Sequence, residues 1–286
     1  MAESSKSHNP KDTPYVNGYH SSVIKSHQWR SAENSCPHLL PTLKEMVQAD
    51  PALSIIDIGC GSGSITVGLA SYVPHGTVTA FDLSETALAP ARAAAEAAKA
   101  TNMHFATGSV LSMPYPDNTF DVVHASQMLI HLGDRDQGLR EMMRVCKPGG
   151  VVAVRDMCLE SWTINPEPKW WQRWYEILLK HIDSMEHVRH NKGSQLLEIC
   201  LRIGLDPGQV KNSASCWVWA EAGERLAYAE AWYGRTLKSD LAEWALKEGV
   251  ATKEELQEIA EGWVEWGRNP VGWLGVMNAE VLIMKK

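Results

Sequence analysis

Two acids and three glycines carry the first chemical suggestion in this chain. Asp57, Gly59, Gly61 and Gly63 stand close together in DIGCGSG, and Asp82 follows at the end of TVTAFD. Glycines so dense let a backbone turn sharply and leave no Cβ between it and a ligand. An acid at a strand tip can accept hydrogen bonds from both hydroxyls of a ribose. Ligands of open parallel sheets bind outside the carboxyl ends of the strands, so the spacing points to a nucleotide. A dinucleotide fingerprint, G-x-G-x-x-G, needs its third glycine one residue later, where this chain has Ser64, and no phosphate-loop Gly-Lys-Ser/Thr occurs. Asp57, two residues before the first glycine, suits a cationic ligand better than a pyrophosphate.

The elements that must hold these residues are legible around them. Ser54–Ile58 is a short run rich in β-branched side chains and predicts a buried strand. Ser64–Tyr72 predicts a helix, broken at Pro74-His75-Gly76, and Thr77–Phe81 a second strand. Ser84–Ala100 is alanine-rich with Ser84 as N-cap. Strands follow over Asn102–Ala106, Phe120–Ala125 and Val151–Val154, the last launched by Lys147-Pro148-Gly149-Gly150 after an amphipathic helix over Asp134–Cys146.

With these elements in place, D-x-G-C-G-x-G followed by F-D resembles the first two motifs of class I S-adenosylmethionine (SAM) methyltransferases. The M-P-Y-P-D-N-T-F-D stretch from Met113 and the K-P-G-G before the fifth strand resemble the ubiquinone/menaquinone methyltransferases within that class. H-Q-W-R-S-A-E-N-S, from His27 to Ser35, is similar to the N-terminal cover of the fungal secondary-metabolism members, including the gliotoxin-type thiol methyltransferases. The resemblance is close from Ser54 to Met157 and looser elsewhere. It implies an α/β fold: a Rossmann-like, seven-stranded, mostly parallel sheet with an antiparallel last strand, helices on both faces and a helical lid. It also implies SAM as methyl donor and S-adenosylhomocysteine (SAH) as product.

Carried over residue by residue, the resemblance sets Gly59, Cys60, Gly61 and Gly63 along the methionine part of SAM, with Asp57 near its amino end. Asp82 would take the ribose and Leu83 would lie beside the adenine. Gly108, Ser109 and Val110 occupy the adenine-contact position, where relatives most often have Gly-Asp, so Ser109 puts that contact in question. Ser126 and Gln127, at the end of the fourth strand, would face SAM. Tyr19, His20, Arg30 and Asn34 would close over SAM or the acceptor. Equally, Arg30 and Glu33 read as a solvated helix face within a helical region over Ser26–Gln48.

In-line methyl transfer requires positioning and dryness more than a covalent catalyst, and positioning supplies roughly 7–11 kcal/mol of such barriers. The base candidates are His20, His27, His124 and His131, with His124 read as a packed core residue. Arg155 and Asp156 end the fifth strand and are read either as acceptor-site groups or as a pair closing the sheet. Twelve Trp against three Phe, eleven of those Trp after Gly150, set the C-terminal half apart. Trp170/Trp174 and Trp263/Trp266 have helical spacing, which packing alone explains; the other reading is an aromatic pocket for a flat acceptor, with Trp170 and Trp174 on it. His181, His187 and His190 lack companion ligands, so no metal is expected.

Thus the expected organisation is an N-terminal arm and cover over 1–50 and a SAM-binding core over 51–160. A lid follows over 161–190 and 221–270, with a remaining core helix and edge strands over 191–220 and 271–286. A net charge of −7 with no basic run argues against a nucleic-acid substrate. No membrane span or leader is read. Six cysteines without a C-x-x-C pair fit a reduced, cytoplasmic setting. The expected activity is methyl transfer to a small secondary metabolite, at sulfur first, then oxygen or nitrogen. A carbon acceptor on a quinone- or sterol-like ring, or a SAM-binding enzyme that transfers no methyl group, are the alternatives. Oligomeric state is left open.

Overall fold

A computed structural model describes residues 29–188 and 191–286. Four strands pair in parallel: β1 (Ser54–Ile58), β2 (Thr77–Asp82), β3 (Met103–Thr107) and β4 (Phe120–Ser126). The fifth, β5 (Cys146–Met157), continues beside β4 in the same sense. Helix α3 (Ser64–Tyr72) crosses from β1 to β2, α4 (Glu85–Ala98) from β2 to β3, and α5 (Arg135–Val145) from β4 to β5. Strands covered on both faces need continuous apolar runs, which IIDI, VVHA and VVAV supply.

The sheet runs β3-β2-β1-β4-β5-β8, where β8 (Trp273–Met284) is antiparallel to β5. The other edge of β8 pairs along its length with β7 (Val210–Trp219), also antiparallel. A short β6 (Thr163–Asn165) pairs with β8 over Gly275–Trp273, beyond the end of β5. The sheet therefore has eight strands; β6 is too short to leave a periodic signature in sequence.

One face packs on α5 and on α7 (Leu196–Arg202), through Leu139, Met142, Leu196 and Ile199. The other face packs on α3, α4 and the cover, through Leu69, Leu88 and Leu43. The cover is two helices, α1 (Ala32–Ser35) and α2 (Leu40–Ala49), rather than one helical region. Pro37 disfavours helical backbone at the residue before it, and Cys36 has left the helix (φ −125°, ψ 32°). A third core lies between the cap helices and the ends of β6, β7 and β8. Here α6 (Trp171–Ser184), α8 (Ala222–Lys238), α9 (Asp240–Lys247) and α10 (Lys253–Arg268) gather Trp171, Trp174, Trp232, Trp263 and Trp266. Helix α10 is capped by Thr252, whose hydroxyl accepts the Glu255 N–H at 3.1 Å, and the Glu255 carboxylate pairs with Arg173 at 2.7 Å.

A buried polar knot joins the three central antiparallel strands. Glu280 on β8 lies directly across from Arg155 on β5 and from Ser213 on β7. Its carboxylate receives Arg155 Nε at 3.2 Å, Ser215 Oγ at 2.5 Å and Ser213 Oγ at 2.8 Å. Both Arg155 and Glu280 are buried. Removing one member of such a pair strands the other charge, at about 3–5 kcal/mol. Glu280→Ala is therefore expected to lower unfolding free energy in urea by about that amount, with Glu280→Gln losing less. A loss indistinguishable from that of exposed-residue variants would contradict the role given to this knot.

Candidate active site

The glycine turn leaves β1 with three left-handed residues: Gly59 at φ +69°, Gly61 at +51° and Gly63 at +75°. Side chains are strained at such angles, and space is short as well. A Cβ on Gly59 would meet Met128 at 2.6 Å, and one on Gly63 would meet Ala91 at 2.6 Å. A Cβ on Gly61 would meet nothing within 4 Å, so the turn leaves open space where a side chain would stand on its middle glycine. Asp82 closes the turn from β2. One carboxylate oxygen accepts the Gly61 N–H at 2.9 Å, the other the Leu83 N–H at 2.7 Å. Each oxygen keeps a lone pair for a further donor. Burial pushes the Asp82 carboxyl up, and the two backbone N–H groups oppose that shift.

Asp57, two residues before the glycine turn, is 2% exposed, and each of its oxygens has a partner. Thr66 donates to one at 2.5 Å, and His124 Nδ1 meets the other at 2.7 Å. Its carboxylate ties α3 and β4 to β1 beneath the turn. His124 Nε2 in turn lies 3.2 Å from Cys36 Sγ in the cover. Burial opposes charge on His124, but Cys36 and Asp57 outweigh it and push the imidazole up to about 10. His124 is thus buried, as read from sequence, yet it is a charged tie rather than apolar filling.

At the end of β4 the chain bends through Gln127, a non-glycine residue at φ +56°. Three hydrogen bonds hold it there. Its N–H donates to Arg155 O at 2.7 Å, its amide nitrogen donates to Asn278 at 2.8 Å, and its amide oxygen accepts the Met157 N–H at 3.1 Å. A left-handed glutamine fixed this firmly at a strand end marks a place where the fold tolerates strain. Ser126 beside it has a buried hydroxyl with no hydrogen-bond partner among the described residues.

Beyond Gln127 lies a cavity of about 900 Å³, counted with its open mouth. Trp29, Trp162, Trp217, Trp219, Tyr228 and Trp232 line it beside aliphatic side chains such as Ile130, Leu178 and Ile182, and its polar groups include Arg30, Gln127, His131, Asn191 and Arg235. Asn191 is spent on Ile130 O and Leu132 O. Arg30 lies over the ring of Trp217 with its guanidinium carbon 4.9 Å from the ring centre. His131 is pulled down to about 3 by burial and by the charges of Arg30, Arg235 and His187, so it is neutral at physiological pH.

The remaining sequence-selected residues fall elsewhere. Arg155 is fully buried in the Glu280 knot. Asp156 is buried beneath the turn after β4, where it accepts the Met128 N–H at 3.1 Å; burial pushes its carboxyl up to about 6. It supports the segment that presents His131 and does not line the cavity. Asn34 is the third residue of α1, its side chain bonded back to the N-cap Ser31, and its carbonyl accepts Trp217 Nε1 at 2.9 Å, so it orients a wall residue. Trp170 packs over Gly262, and Trp174 is 1% exposed inside the aromatic core; neither lines the cavity. Gly108 packs on Phe81 and gives its N–H to Asp82 O, Val110 is buried, and the Ser109 hydroxyl accepts the Leu111 N–H at 3.0 Å. Tyr19, His20 and His27 lie outside the described residues. Trp217 and Trp219 were missed as wall residues although their period-two spacing on a strand was visible; Arg235, three residues after Trp232 on α8, gave no separate signal. Among the described residues no His, Cys, Asp or Glu group could hold a metal, and no helix is long and apolar enough to cross a membrane.

A family model described as a methyltransferase domain matches residues 49–245. The chain belongs to this methyltransferase family. It is 29% identical over 281 residues to the uncharacterized methyltransferase C1B3.06c of Schizosaccharomyces pombe, covering 95% of this chain and 96% of that one. It is 28% identical to the probable methyltransferase ltbC of Aspergillus luteorubrus, covering 95% and 97%. In fold it is similar to a phosphoethanolamine N-methyltransferase of Haemonchus contortus solved with SAH, at a TM-score of 0.54 and 17% identity, covering 93% of this chain and 58% of that one. The enzyme is a SAM-dependent methyltransferase. The glycine turn and Asp82 fit that donor, with open space over Gly61 and spare acceptor capacity at the strand tip.

The raised titration of His124 makes a testable statement about pH. A group whose folded value lies above its ordinary 6.5 stabilises fully below 6.5, and that contribution is lost as pH rises through about 10. The urea midpoint of the native chain is expected to fall from pH 7 to pH 10 more steeply than that of His124→Gln. Parallel curves for the two proteins would remove the charged tie.

Proposed function

We propose that this methyltransferase acts on a small, flat organic acceptor of secondary metabolism, at a heteroatom, with the Trp-walled cavity as the acceptor site. The supporting observation is adjacency. Met128, next to the cavity residue Gln127, is in contact distance of Gly59 in the turn, so one wall separates donor and acceptor spaces. The fungal relative ltbC, similar over nearly its full length, supports the metabolic setting.

SAM supplies an electrophilic methyl group on a sulfonium sulfur. The chain's own residues supply position. Asp82 is assigned the ribose hydroxyls, which leaves Gly59, Gly61 and Gly63 for the methionine arm; Leu83, Gly108, Ser109 and Val110 are assigned the adenine side. Ser126 and Gln127 are assigned the boundary between donor and acceptor, where a locked side chain holds the two spaces in register. The aromatic wall excludes water and offers ring faces that favour both a flat acceptor and a sulfonium charge. His131 is assigned to orient the acceptor atom as a neutral hydrogen-bond partner. With so low a proton affinity it is a poor proton acceptor, which favours a nucleophile that ionises by itself. Thiols do so most readily among neutral heteroatom acceptors.

The ribose assignment has a direct test. Asp82→Ala removes two charge-assisted hydrogen bonds, each worth roughly 1.5–3 kcal/mol. Calorimetry with SAH is expected to show an affinity loss of at least about a hundredfold, with the far-ultraviolet spectrum unchanged. Unchanged affinity would overturn the assignment. Methylation of dithiols, phenols, amines and quinols, read by product mass, tests the acceptor class; a carbon-methylated product would replace the heteroatom reading.

A further inference from the structure

Gln127 lines the cavity; Asn278, fully buried on β8, does not, and yet it decides how Gln127 stands there. Asn278 is the register partner of Met157 across β5 and β8, so both reach Gln127 at one level of the sheet. A side-chain amide can turn over and exchange its oxygen for its nitrogen, but here neither amide can do so without losing a bond. At one end stands the Met157 N–H, which only donates, so the Gln127 oxygen must face it, at 3.1 Å. At the other end stands Val276 O, which only accepts, so the Asn278 nitrogen must face it, at 3.2 Å. The two amides then meet with Gln127 Nε2 donating to Asn278 Oδ1 at 2.8 Å, as both ends require. Turning Gln127 over would set two donors together at Met157 and two acceptors together at Asn278. The Gln127 amide nitrogen carries two hydrogens. Asn278 takes one, and the other has no partner among the described residues.

We propose that Asn278 is a positioning residue for methyl transfer: acting through Gln127, it fixes an amide N–H donor at the cavity, and that donor selects acceptors whose reacting atom is oxygen or sulfur. This deepens the methyl-transfer reading of the cavity and rests on it. A donor beside the reacting atom occupies one of its lone pairs. Oxygen and sulfur keep another for the methyl carbon, whereas a neutral amine nitrogen has a single pair and loses it to the hydrogen bond. The acceptor reacts ionised, its proton already released to water. One pair of the anion accepts the Gln127 N–H and a second forms the bond to the methyl carbon, while the carbon–sulfur bond breaks with its electrons to sulfur. The products are neutral and no further proton moves. Hydrogen bonds to an ionised group are stronger than those between neutral groups, so a fixed donor favours the reactive form. An unlocked amide would present its oxygen as readily, which holds the neutral hydroxyl or thiol and opposes its anion. Asn278 removes that choice from outside the cavity.

Matched probes on the full chain with saturating SAH test this. The ether 1-methoxynaphthalene offers an oxygen lone pair where 1-ethylnaphthalene has a methylene. The ether is expected to bind about three- to tenfold more tightly, the scale of one hydrogen bond. Of the two side-chain amide proton resonances that Gln127→Met removes, one should be protected from exchange and the other should shift with the ether alone. Asn278→Leu, in protein whose far-ultraviolet spectrum is unchanged, should erase both the preference and the protection. Asn278→Asp, whose neutral form repeats both bonds of the asparagine, should restore part of each. A purely structural Asn278 would weaken the two probes alike. If Asn278→Leu does not fold, the preference and the two resonances of the native chain still decide. With SAM in place of SAH, 1-naphthalenethiol should be methylated faster than 1-naphthylamine. Equal affinity for ether and hydrocarbon, no binding by either, no thiol product, or an amine product at the thiol's rate or above overturns the proposal. SAH affinity measured alone separates the two levels. If SAH binds and the probes bind without preference, only this inference fails. If SAH does not bind, the methyl-transfer reading of the cavity fails, while ether and hydrocarbon titrated without SAH still report on the donor.

Discussion

A buried carboxylate must be satisfied from within, and in this fold the carboxylate of Asp57 sets what surrounds it. Thr66 fixes the first turn of α3 against β1, and His124 fixes β4 beside it. Asp57 and His124 are also register partners across the two strands, so the ion pair and the sheet agree. Through Cys36 the same chain of contacts reaches the cover helices. The glycine turn begins two residues after Asp57 and starts from a point tied in three directions. Leaving any of these buried groups unpaired costs more than an exposed polar contact contributes. A more apolar solution would pack as well but would leave the start of the turn less constrained.

Two kinds of order meet at the end of β4. On the donor side the backbone does the work, through left-handed glycines and N–H groups aimed at Asp82. On the side of the proposed acceptor cavity the work falls to side chains, five of them tryptophan, brought together from separate elements that include β7 and α8. Gln127 stands between them, held by bonds to β5 and β8. Backbone geometry can be shared by many enzymes with one donor. A wall of side chains on separate elements can change one residue at a time, so acceptor choice can drift without disturbing donor binding.

The donor half was readable because its chemistry is local. Asp57, the three glycines and Asp82 belong to one strand–turn–helix–strand unit, and the apolar runs on either side gave its boundaries. The edge strand expected within 271–286 is also present, over Trp273–Met284, where apolar residues outnumber Gly275, Asn278 and Glu280. The acceptor half was not readable because its members are far apart in the chain. Nothing local joins Trp29 to Trp217 or either to Arg235. Helical spacing drew attention to Trp170 and Trp174, which turn out to build the aromatic core behind the wall. Asp57 was legible as an acid beside the glycine turn; its bond to His124, sixty-seven residues away, was not, because no local pattern joins the two. The length of β5 was underestimated because Gly149 and Gly150 look like a stop, whereas the strand resumes its pairing before them, at Cys146 with Phe120, across a register shift to Val151 with Val122.

Strand β8 occupies the middle of the antiparallel region, with β5 and β6 on one edge and β7 on the other. A ribosome makes it after every strand it joins. Throughout the interval in which the helical cap is being translated, β5 offers the apolar edge Val151–Val154 with no neighbour on one side. Such an edge is a template for pairing with other chains, and domains that wait on late, distant segments remain open to misassembly in that period. The nascent chain is therefore most exposed to wrong pairing between the emergence of β5 and that of β8.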